Sequence, residues 1–238
     1  MRSPSRPRRR TRGATRRPAV VPAPPDAPRW QRRPEERPTE ILSAALDSFV
    51  ERGFTATRLE EVAKRAGVSK GTLYLYFDSK DALFKAVIRE NIVANLERAE
   101  QQVEAWEGPS RELLAELFHG WWRTLHESRL TGLPKLMFSE AANFPDLARF
   151  YFDEVVERGR RLFARVLERG IARGEFRPLD VPYTVRVIMA PVVMALISKH
   201  SLVKCHIDAM DYDRHLEALI DIVLNGVVAA PGKERAHA

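Results

Sequence analysis

The sequence has little of what stabilises secreted or membrane proteins. Its single cysteine, Cys205, excludes an intramolecular disulfide and favours a reducing compartment, so we expect a cytoplasmic protein. The stretch from Ala19 to Pro28 is interrupted by four prolines, which does not fit a secretory signal. The longest apolar run without charge, Val187 to Ile197, has eleven residues and contains Pro191. That is about half of the ~20 residues that span a bilayer, so we expect no membrane partner.

The sequence also lacks the residue groupings of common active sites and metal centres. His200, Cys205 and His206 lie close together, but their spacing matches no common zinc motif. Ser198 and His200 have no nucleophile-elbow context. The sequence therefore predicts no catalytic residues, no metal and no cofactor, and a protein that is not an enzyme.

Positive charge is scarce outside the N-terminal region. The formal net charge is +7, but residues 1–38 carry twelve arginines against three acidic residues, which leaves −2 for the rest. The prolines and the mutual repulsion of the arginines predict a disordered Arg/Pro-rich arm over residues 1–37, and we expect a flexible tail over residues 230–238. The arm is either a solvated extension, including one added by a start codon placed too far upstream, or a basic segment that contacts DNA phosphates.

What the sequence does contain is helical periodicity with dense start and stop signals. No segment alternates with period two in β-branched residues, so the predicted fold is all-α. A first helix is predicted from Pro38 to Arg52, where the apolar residues recur on one face, and Gly53 ends it.

Three helix starts fall between Thr57 and Lys80. Thr57 and Glu60 have the spacing of a capping box. After a turn at Gly67, Ser69 can cap a short helix from Lys70 to Phe77, and Ser79 can cap a long helix that follows. Two short helices joined by a tight turn predict a three-helix helix-turn-helix DNA-binding domain over residues 38–85.

The start of the second short helix is predicted to read DNA bases. Lys70 can donate to guanine, Gly71 removes a side chain at the closest approach, and Thr72 offers a hydroxyl and a methyl group. Other DNA contacts are predicted at phosphates and helix starts, at Thr57, Arg58, Ser69, Tyr74, Tyr76 and Lys80. The alternatives are that Thr57, Ser69 and Ser79 act only as caps and that the tyrosines are half-buried.

Residues 86–229 are predicted to form a C-terminal helical domain for effector binding and dimerisation. The long helix after Ser79 runs to about Trp106 and connects the two domains. The further helices are predicted from Ser110 to about Glu127, from Pro134 to about Asn143, from Pro145 to about Arg173, from Tyr183 to about Lys204 and from Tyr212 to about Val228.

Large polarisable side chains in this domain predict a cavity for an apolar or aromatic effector, although core packing explains each of them singly. The predicted pocket residues are Phe118, Trp121, Trp122, His126, Met137, Phe138, Phe152, Arg186 and Met189. The apolar last two helices predict a dimer interface, with intrachain core as the alternative. The predicted interface residues are Val193, Ile197, Leu216, Leu219, Ile220, Val223, Leu224 and Val227.

The run GFTATRLEEVAKRAGVSKGTLYLYFDSKDALFKAV, from Gly53 to Val87, closely resembles the N-terminal domain of the TetR/AcrR family of bacterial transcriptional regulators. The resemblance implies an all-helical homodimer in which the two last long helices of each subunit form a four-helix interface and each C-terminal domain holds an inducer cavity. It implies that Lys70, Gly71 and Thr72 face bases, whereas phosphates are held by Arg58, Tyr74, Tyr76 and Lys80. The Arg/Pro arm departs from the usual short arm.

These features together predict a repressor that binds a palindromic DNA operator as a homodimer and is released by a small, largely apolar effector. Two alternatives stay open. One is a non-specific DNA-packaging protein, and the other is a helical small-molecule-binding protein without effector-controlled DNA release.

Overall fold

The computed structural model describes residues 37–126, 129–201 and 210–228. The predicted arm, the predicted tail, Cys205 and His206 lie outside them. The only β-structure among these described residues is one isolated bridge between Phe176 and Val228, so the prediction of an all-α fold is confirmed. The helices are α1 (Arg37–Ala56), α2 (Leu59–Arg65), α3 (Lys70–Tyr76), α4 (Lys80–Ile88), α5 (Ala94–Ala105), α6 (Ser110–His126), α7 (Leu133–Glu140), α8 (Pro145–Tyr151), α9 (Glu157–Ala172), α10 (Val181–Ser201) and α11 (Tyr212–Val227).

Helices α1 to α4 enclose a small aromatic core. The rings of Phe49, Phe54 and Phe84 are fully buried, and their centroids lie 5.3 to 5.6 Å apart. Gly53 has φ 86° and ψ 167°, so the chain leaves helical geometry there and returns Phe54 to the core. A side chain other than glycine is strained at this φ, which is why the sequence signal for the end of the first helix is strong.

Two long helical runs each contain one π-helical turn. The first π-turn, Arg89–Val93, joins α4 to α5, and the second π-turn, Phe152–Val156, joins α8 to α9. The predicted long connecting helix is therefore a continuous run from Lys80 to Ala105 with one wider turn inside it. The two π-turns contact each other.

The N-terminal and C-terminal parts share one continuous core. Helix α1 packs against α4, α7 and a 3₁₀ turn at Arg129–Gly132. Gly132 permits this contact, because a Cβ there would lie 2.4 Å from Cγ1 of Val50. In the C-terminal part, α6 packs against α9 and α11, and α9 also packs against α10.

Candidate nucleic-acid interface and effector cavity

Helices α2 and α3 form a helix-turn-helix whose turn is fixed by local hydrogen bonds. Gly67 adopts φ +67°, and the Val68 amide donates to the Ala63 carbonyl at 2.9 Å. The Ser69 hydroxyl accepts from the Thr72 amide at 3.0 Å and so caps α3. Ser79 caps α4 in the same way, accepting from the Ala82 amide at 3.0 Å. Both serine caps predicted from the sequence are confirmed.

The predicted capping box at Thr57 is wrong. The helix begins one residue later, with Arg58 as N-cap and no side-chain cap. The Thr57 side chain is buried, and its single O–H proton lies between the carbonyls of Gly53 at 2.7 Å and Ser48 at 3.1 Å. A buried hydroxyl whose only proton is used by backbone carbonyls of α1 is not available to donate to a DNA phosphate, and Thr57 instead fixes the connection between α1 and α2.

Lys80 was also predicted to bind phosphate, but in the structure its ammonium is bonded to backbone carbonyls of its own chain. Its Nζ donates to the carbonyls of Phe54 at 2.8 Å and of Thr55 and Thr57 at 3.2 Å, and it lies 4.6 Å from the centroid of the Phe54 ring. An ammonium has three N–H donors, so these three carbonyls use all of them. Lys80 therefore stabilises the backbone from Phe54 to Thr57, which follows the kink at Gly53.

The outward face of α3 is exposed to solvent. Only Leu73 of this helix is buried. Lys70 and Gly71 are exposed, Thr72 is half-buried, and Tyr74 and Tyr76 are each 40% exposed. A Cβ added to Gly71 would meet only the Ser69 hydroxyl oxygen, at 3.8 Å. The absence of a side chain at residue 71 therefore has no explanation inside the protein.

Leu75 is a residue of this face that sequence reasoning missed. It is 84% exposed on α3, between the two exposed tyrosines. The signal was present in the pattern, because Leu73 and Phe77 define the inward side of the helix and Leu75 falls outside it. An exposed leucine beside aromatic residues indicates a surface that is covered in a complex.

Positive charge near α3 is largely paired. The Lys70 ammonium lies 2.6 Å from a Glu60 carboxylate oxygen, and its hydrogen bond lowers the pKa of Glu60. Lys70 also lies 5.8 Å from the centroid of the Tyr74 ring. Arg58 and Lys64 are exposed and have no carboxylate within 4 Å among the described residues. Arg58, Lys64 and, once released from Glu60, Lys70 are cations near α3 that can pair with phosphates, and the predicted phosphate contacts of Tyr74 and Tyr76 stay predictions.

Two polar links join the helix-turn-helix to the C-terminal part. Asp47 on α1 accepts from Arg65 of α2 at 3.0 Å and from Arg129 of the 3₁₀ turn at 2.7 Å. Glu140, at the end of α7, accepts from the amide and hydroxyl of Thr55 at 3.2 and 3.0 Å. Arg129 lies just before α7 and Glu140 ends it, and Met137 and Phe138 of α7 line a cavity in the C-terminal part.

A cavity of about 1430 Å³ lies in the C-terminal part. Helices α5 to α10 and both π-turns contribute to its wall. The predicted pocket residues that line it are Trp121, Met137, Phe138, Phe152, Arg186 and Met189. Tyr151 and Met194 line it too. The cavity is larger than the 300 to 1,000 Å³ typical of drug-sized ligands.

Two predicted pocket residues are core residues instead. Phe118 is fully buried and packs edge-on against Phe163 with ring centroids 5.0 Å apart. Trp122 is buried on the other side of α6, where its indole N–H donates to Asp213 at 3.0 Å. Consecutive helical residues point about 100° apart, and on α6 this turns Trp121 toward the cavity and Trp122 toward α11. The His126 side chain lies outside the described part of the chain.

Most of the predicted dimer-interface residues face the core of their own chain. Leu216, Leu219, Ile220, Val223, Leu224 and Val227 of α11 are all at most 9% exposed within one chain. Val193 and Ile197 of α10 are half-buried and line the cavity. For the six α11 residues the intrachain alternative holds, because the most regular apolar stripe of a helix faces its own core, whereas the interface role of Val193 and Ile197 stays a prediction. The exposed apolar side chains of these helices are Tyr183, Val187, Met194 and Ile222.

Helix α10 is unusually apolar for a helix with so much exposed surface. By length and composition alone, α10 is the one helix among the described residues that could cross a membrane, with a mean hydropathy of 1.7 and 28% of its apolar window buried. The sequence analysis overlooked it because Arg186 and Lys199 interrupt the charge-free run. No group of three or more potential metal ligands occurs within the described ranges.

Comparisons with known proteins agree with this architecture. Residues 41–87 match the family model "Bacterial regulatory proteins, tetR family", and residues 107–219 match "Tetracyclin repressor-like, C-terminal domain". The chain is 31% identical to the HTH-type transcriptional repressor KstR2 of Mycolicibacterium smegmatis over 164 residues, which is 68% of this chain and 78% of the relative.

Solved structures share the fold. The regulator FadR of Bacillus subtilis in complex with stearoyl-CoA has a TM-score of 0.66 and 20% identity, with 79% of this chain and 98% of that chain covered. A transcriptional regulator of Saccharomonospora viridis in complex with choline has a TM-score of 0.68 and 21% identity, covering 82% and 100%. The two family models, the relative KstR2 and the shared fold agree. The chain therefore belongs to the TetR family of bacterial transcriptional regulators, whose members bind DNA and are not enzymes.

Proposed function

We propose that the protein is a homodimeric repressor that binds a palindromic operator through α3 and is released when a small effector occupies the cavity. One observation carries the proposal. The outward face of α3 combines Gly71, whose missing side chain has no internal cause, with the exposed side chains of Tyr74 and Leu75 on a helix held by a serine cap. Such a face suits close approach to base edges in the major groove.

A second copy of the chain is the proposed cover for the exposed apolar face of α10 and α11. Tyr183, Val187 and Ile222 are each about 70% exposed, and Met194 is 61% exposed. A soluble protein that exposes several large apolar side chains on neighbouring helices gains by burying them against a partner. Pairing also serves recognition, because one helix-turn-helix reads few base pairs and two copies about 34 Å apart read both halves of a palindrome.

The cavity supports control by a ligand. The two structural relatives with stearoyl-CoA and choline are TetR-like folds in complex with small molecules, and KstR2 is named a repressor. In this chain α7 both lines the cavity and ends at Glu140, which bonds Thr55 next to the kink of α1. A ligand that prefers a different position of α7 would shift the protein away from the DNA-binding conformation, and only such differential binding can do so.

The test begins with selection of bound fragments from the genome of the source bacterium, followed by fluorescence anisotropy on the recovered site and on shuffled DNA. We expect a palindrome with half-sites about one helical turn apart and at least about 10³-fold preference over shuffled DNA. Equal affinity for both DNAs would support non-specific packaging instead. Tight operator binding that no cavity ligand alters would leave a regulator without effector release.

Two variants separate the roles of the surfaces. Val187→Glu places a charge on the proposed dimer face, so it should sediment as a monomer and lose most operator affinity. Leu75→Glu should remain a dimer of unchanged stability but fail to bind DNA, because residue 75 is exposed on α3. A Val187→Glu protein that stays dimeric, or a wild-type protein that binds phospholipid vesicles through α10, would refute the proposed interface.

A further inference from the structure

We propose that the effector is an amphipathic anion, with an apolar body inside the cavity and a carboxylate or phosphate head held by arginines at its rim. The inference rests on the proposed function and specifies the chemical class of ligand for the same cavity. The two liganded relatives do not decide the matter, because stearoyl-CoA carries negative charge and choline carries positive charge.

The cavity wall has an excess of positive charge that comes from five different helices. Five arginines line the cavity, and the acidic side chains that line it are Glu116 and Asp146. The arginines are Arg98 of α5, Arg123 of α6, Arg149 of α8, Arg160 of α9 and Arg186 of α10. Convergence of one arginine from each of five neighbouring helices concentrates positive potential on the cavity. The concentration is local, because the chain after residue 38 carries a net charge of −2.

Three of these arginines have no acidic partner. Arg98 bonds the side chain of Asn95, which is neutral, at 2.7 Å. Neither Arg149 nor Arg186 has a carboxylate within 4 Å among the residues that the structure describes. The other two have partners, since Arg123 lies 4.0 Å from Glu116, and Arg160 lies 3.9 Å from Glu157 and 5.4 Å from the centroid of the Phe152 ring. The guanidinium groups of Arg98, Arg149 and Arg186 are therefore the ones available to a ligand.

The position of the arginines indicates where the head of the ligand lies. Arg98, Arg149 and Arg186 are exposed, so they stand at the rim and not in the depth of the cavity. The inner wall is apolar and includes the buried side chains of Leu117, Met137, Leu162, Phe163 and Leu196. An apolar interior with a cationic rim fits a molecule that has a hydrocarbon body and an anionic end.

A guanidinium rim selects for one class of head group. Its planar fork pairs two N–H groups with two oxygens of a carboxylate or phosphate, whereas a quaternary ammonium would be repelled. Tyr151, inside the wall, adds a donor. Its phenol makes no hydrogen bond to the described residues, and burial raises its pKa, so it stays neutral and can donate to a carbonyl or carboxylate oxygen.

The test compares ligands that share a twelve-carbon chain and differ in the head group. Dodecanoate, lauroyl-CoA, dodecanol and dodecyltrimethylammonium are titrated below their critical micelle concentrations, and binding is followed by calorimetry and by release of the labelled operator. We expect at least one of the two anions to bind about tenfold or more tightly than the alcohol and the ammonium compound. The two anions separate the sources of the head group, a free acid or a phosphorylated thioester.

Arginine variants connect the preference to the cavity. Arg149→Gln and Arg186→Gln should each weaken anion binding at least about fivefold and leave dodecanol binding unchanged. Arg111→Gln is the matched control, because Arg111 is exposed on α6 outside the cavity and should have no effect. Sedimentation of each variant verifies that the dimer persists.

The outcomes separate this inference from the proposed function. Operator affinity without any ligand is measured first, and its absence would refute the regulator itself. If the operator is bound, then equal binding of alcohol and anions, preference for the ammonium compound, absence of binding by both anions, or unchanged anion binding in both glutamine variants would each overturn the anionic effector.

Discussion

Replacement of Gly71 by alanine should strengthen the fold and weaken DNA binding. The added Cβ would lie 3.8 Å from the Ser69 hydroxyl oxygen, an ordinary van der Waals contact, and nothing else is within 4 Å. Alanine is favoured over glycine in helices by about 0.5–1 kcal/mol, and the low end applies here because Gly71 is the second residue of α3. For a protein of this size we expect the melting temperature to rise by about 1–2 °C.

The same methyl group should interfere with the major groove. If the backbone of α3 approaches the bases at Gly71, the helix must withdraw and lose at least one specific contact in each half-site, about 1–3 kcal/mol each. Two half-sites then give a loss of about 2 kcal/mol or more, which is at least about 30-fold in operator affinity. Binding to random DNA, which depends on phosphates, should change much less.

Calorimetric melting and fluorescence anisotropy at fixed salt measure the two effects on the same protein. Gly120→Ala is the control in the assay without ligand, because Gly120 lies inside α6 at the cavity wall and not on α3, and a Cβ there would meet no atom within 4 Å. It should be stabilised without any change in operator affinity. A Gly71→Ala protein that melts higher but binds its operator like the wild type would refute the assignment of Gly71 to the closest approach, and one that melts lower would show an internal role.

Three further substitutions test other parts of the structure. Glu60→Gln removes the carboxylate that pairs with Lys70, so binding to operator and random DNA should both tighten, by about two- to fivefold per subunit; unchanged affinity would mean that Lys70 does not meet DNA. Lys80→Met leaves three carbonyls without their donor and should destabilise the fold by about 2 kcal/mol, measured by urea unfolding; lost DNA affinity at full stability would instead restore the phosphate role. Arg158 bonds Glu100 at 2.8 Å and lowers its pKa, so Glu100→Gln should cost about 1–2 kcal/mol at pH 7. A depressed carboxylate pKa stabilises the folded state above the unfolded pKa, so this cost should decline as the pH falls below the ordinary glutamate pKa and disappear below the lowered pKa of folded Glu100; a constant cost would contradict the ionic role.

Local signals predicted the frame of the DNA-binding part well. Ser69 and Ser79 were identified as caps because a cap involves residues three positions apart, and both accept the expected amide. Thr57 was misassigned although its spacing to Glu60 is equally good. Its hydroxyl bonds Ser48, nine residues earlier in another helix, and a non-local partner of this kind leaves no trace in the local pattern.

The faces of the C-terminal helices were harder to assign. Phe118 and Trp121 are both large and aromatic, but the first is core and the second lines the cavity. The stripe of α11 from Leu216 to Val227 was read as an interface and is core. Apolar periodicity shows that a face is buried, but it does not show whether the burial is against the same chain, a ligand or a partner.

The sequence by itself determined the helical class, the helix-turn-helix with its two serine caps, the close match from Gly53 to Val87 and the concentration of arginine in the first 38 residues. These features depend on composition or on residues a few positions apart, where local geometry follows from the spacing. Tertiary structure decided which side chains are free to act. It turned Thr57 and Lys80 inward, left Leu75 exposed, and brought five arginines that are far apart in the sequence to one cavity, because only the packing of the helices determines which faces meet.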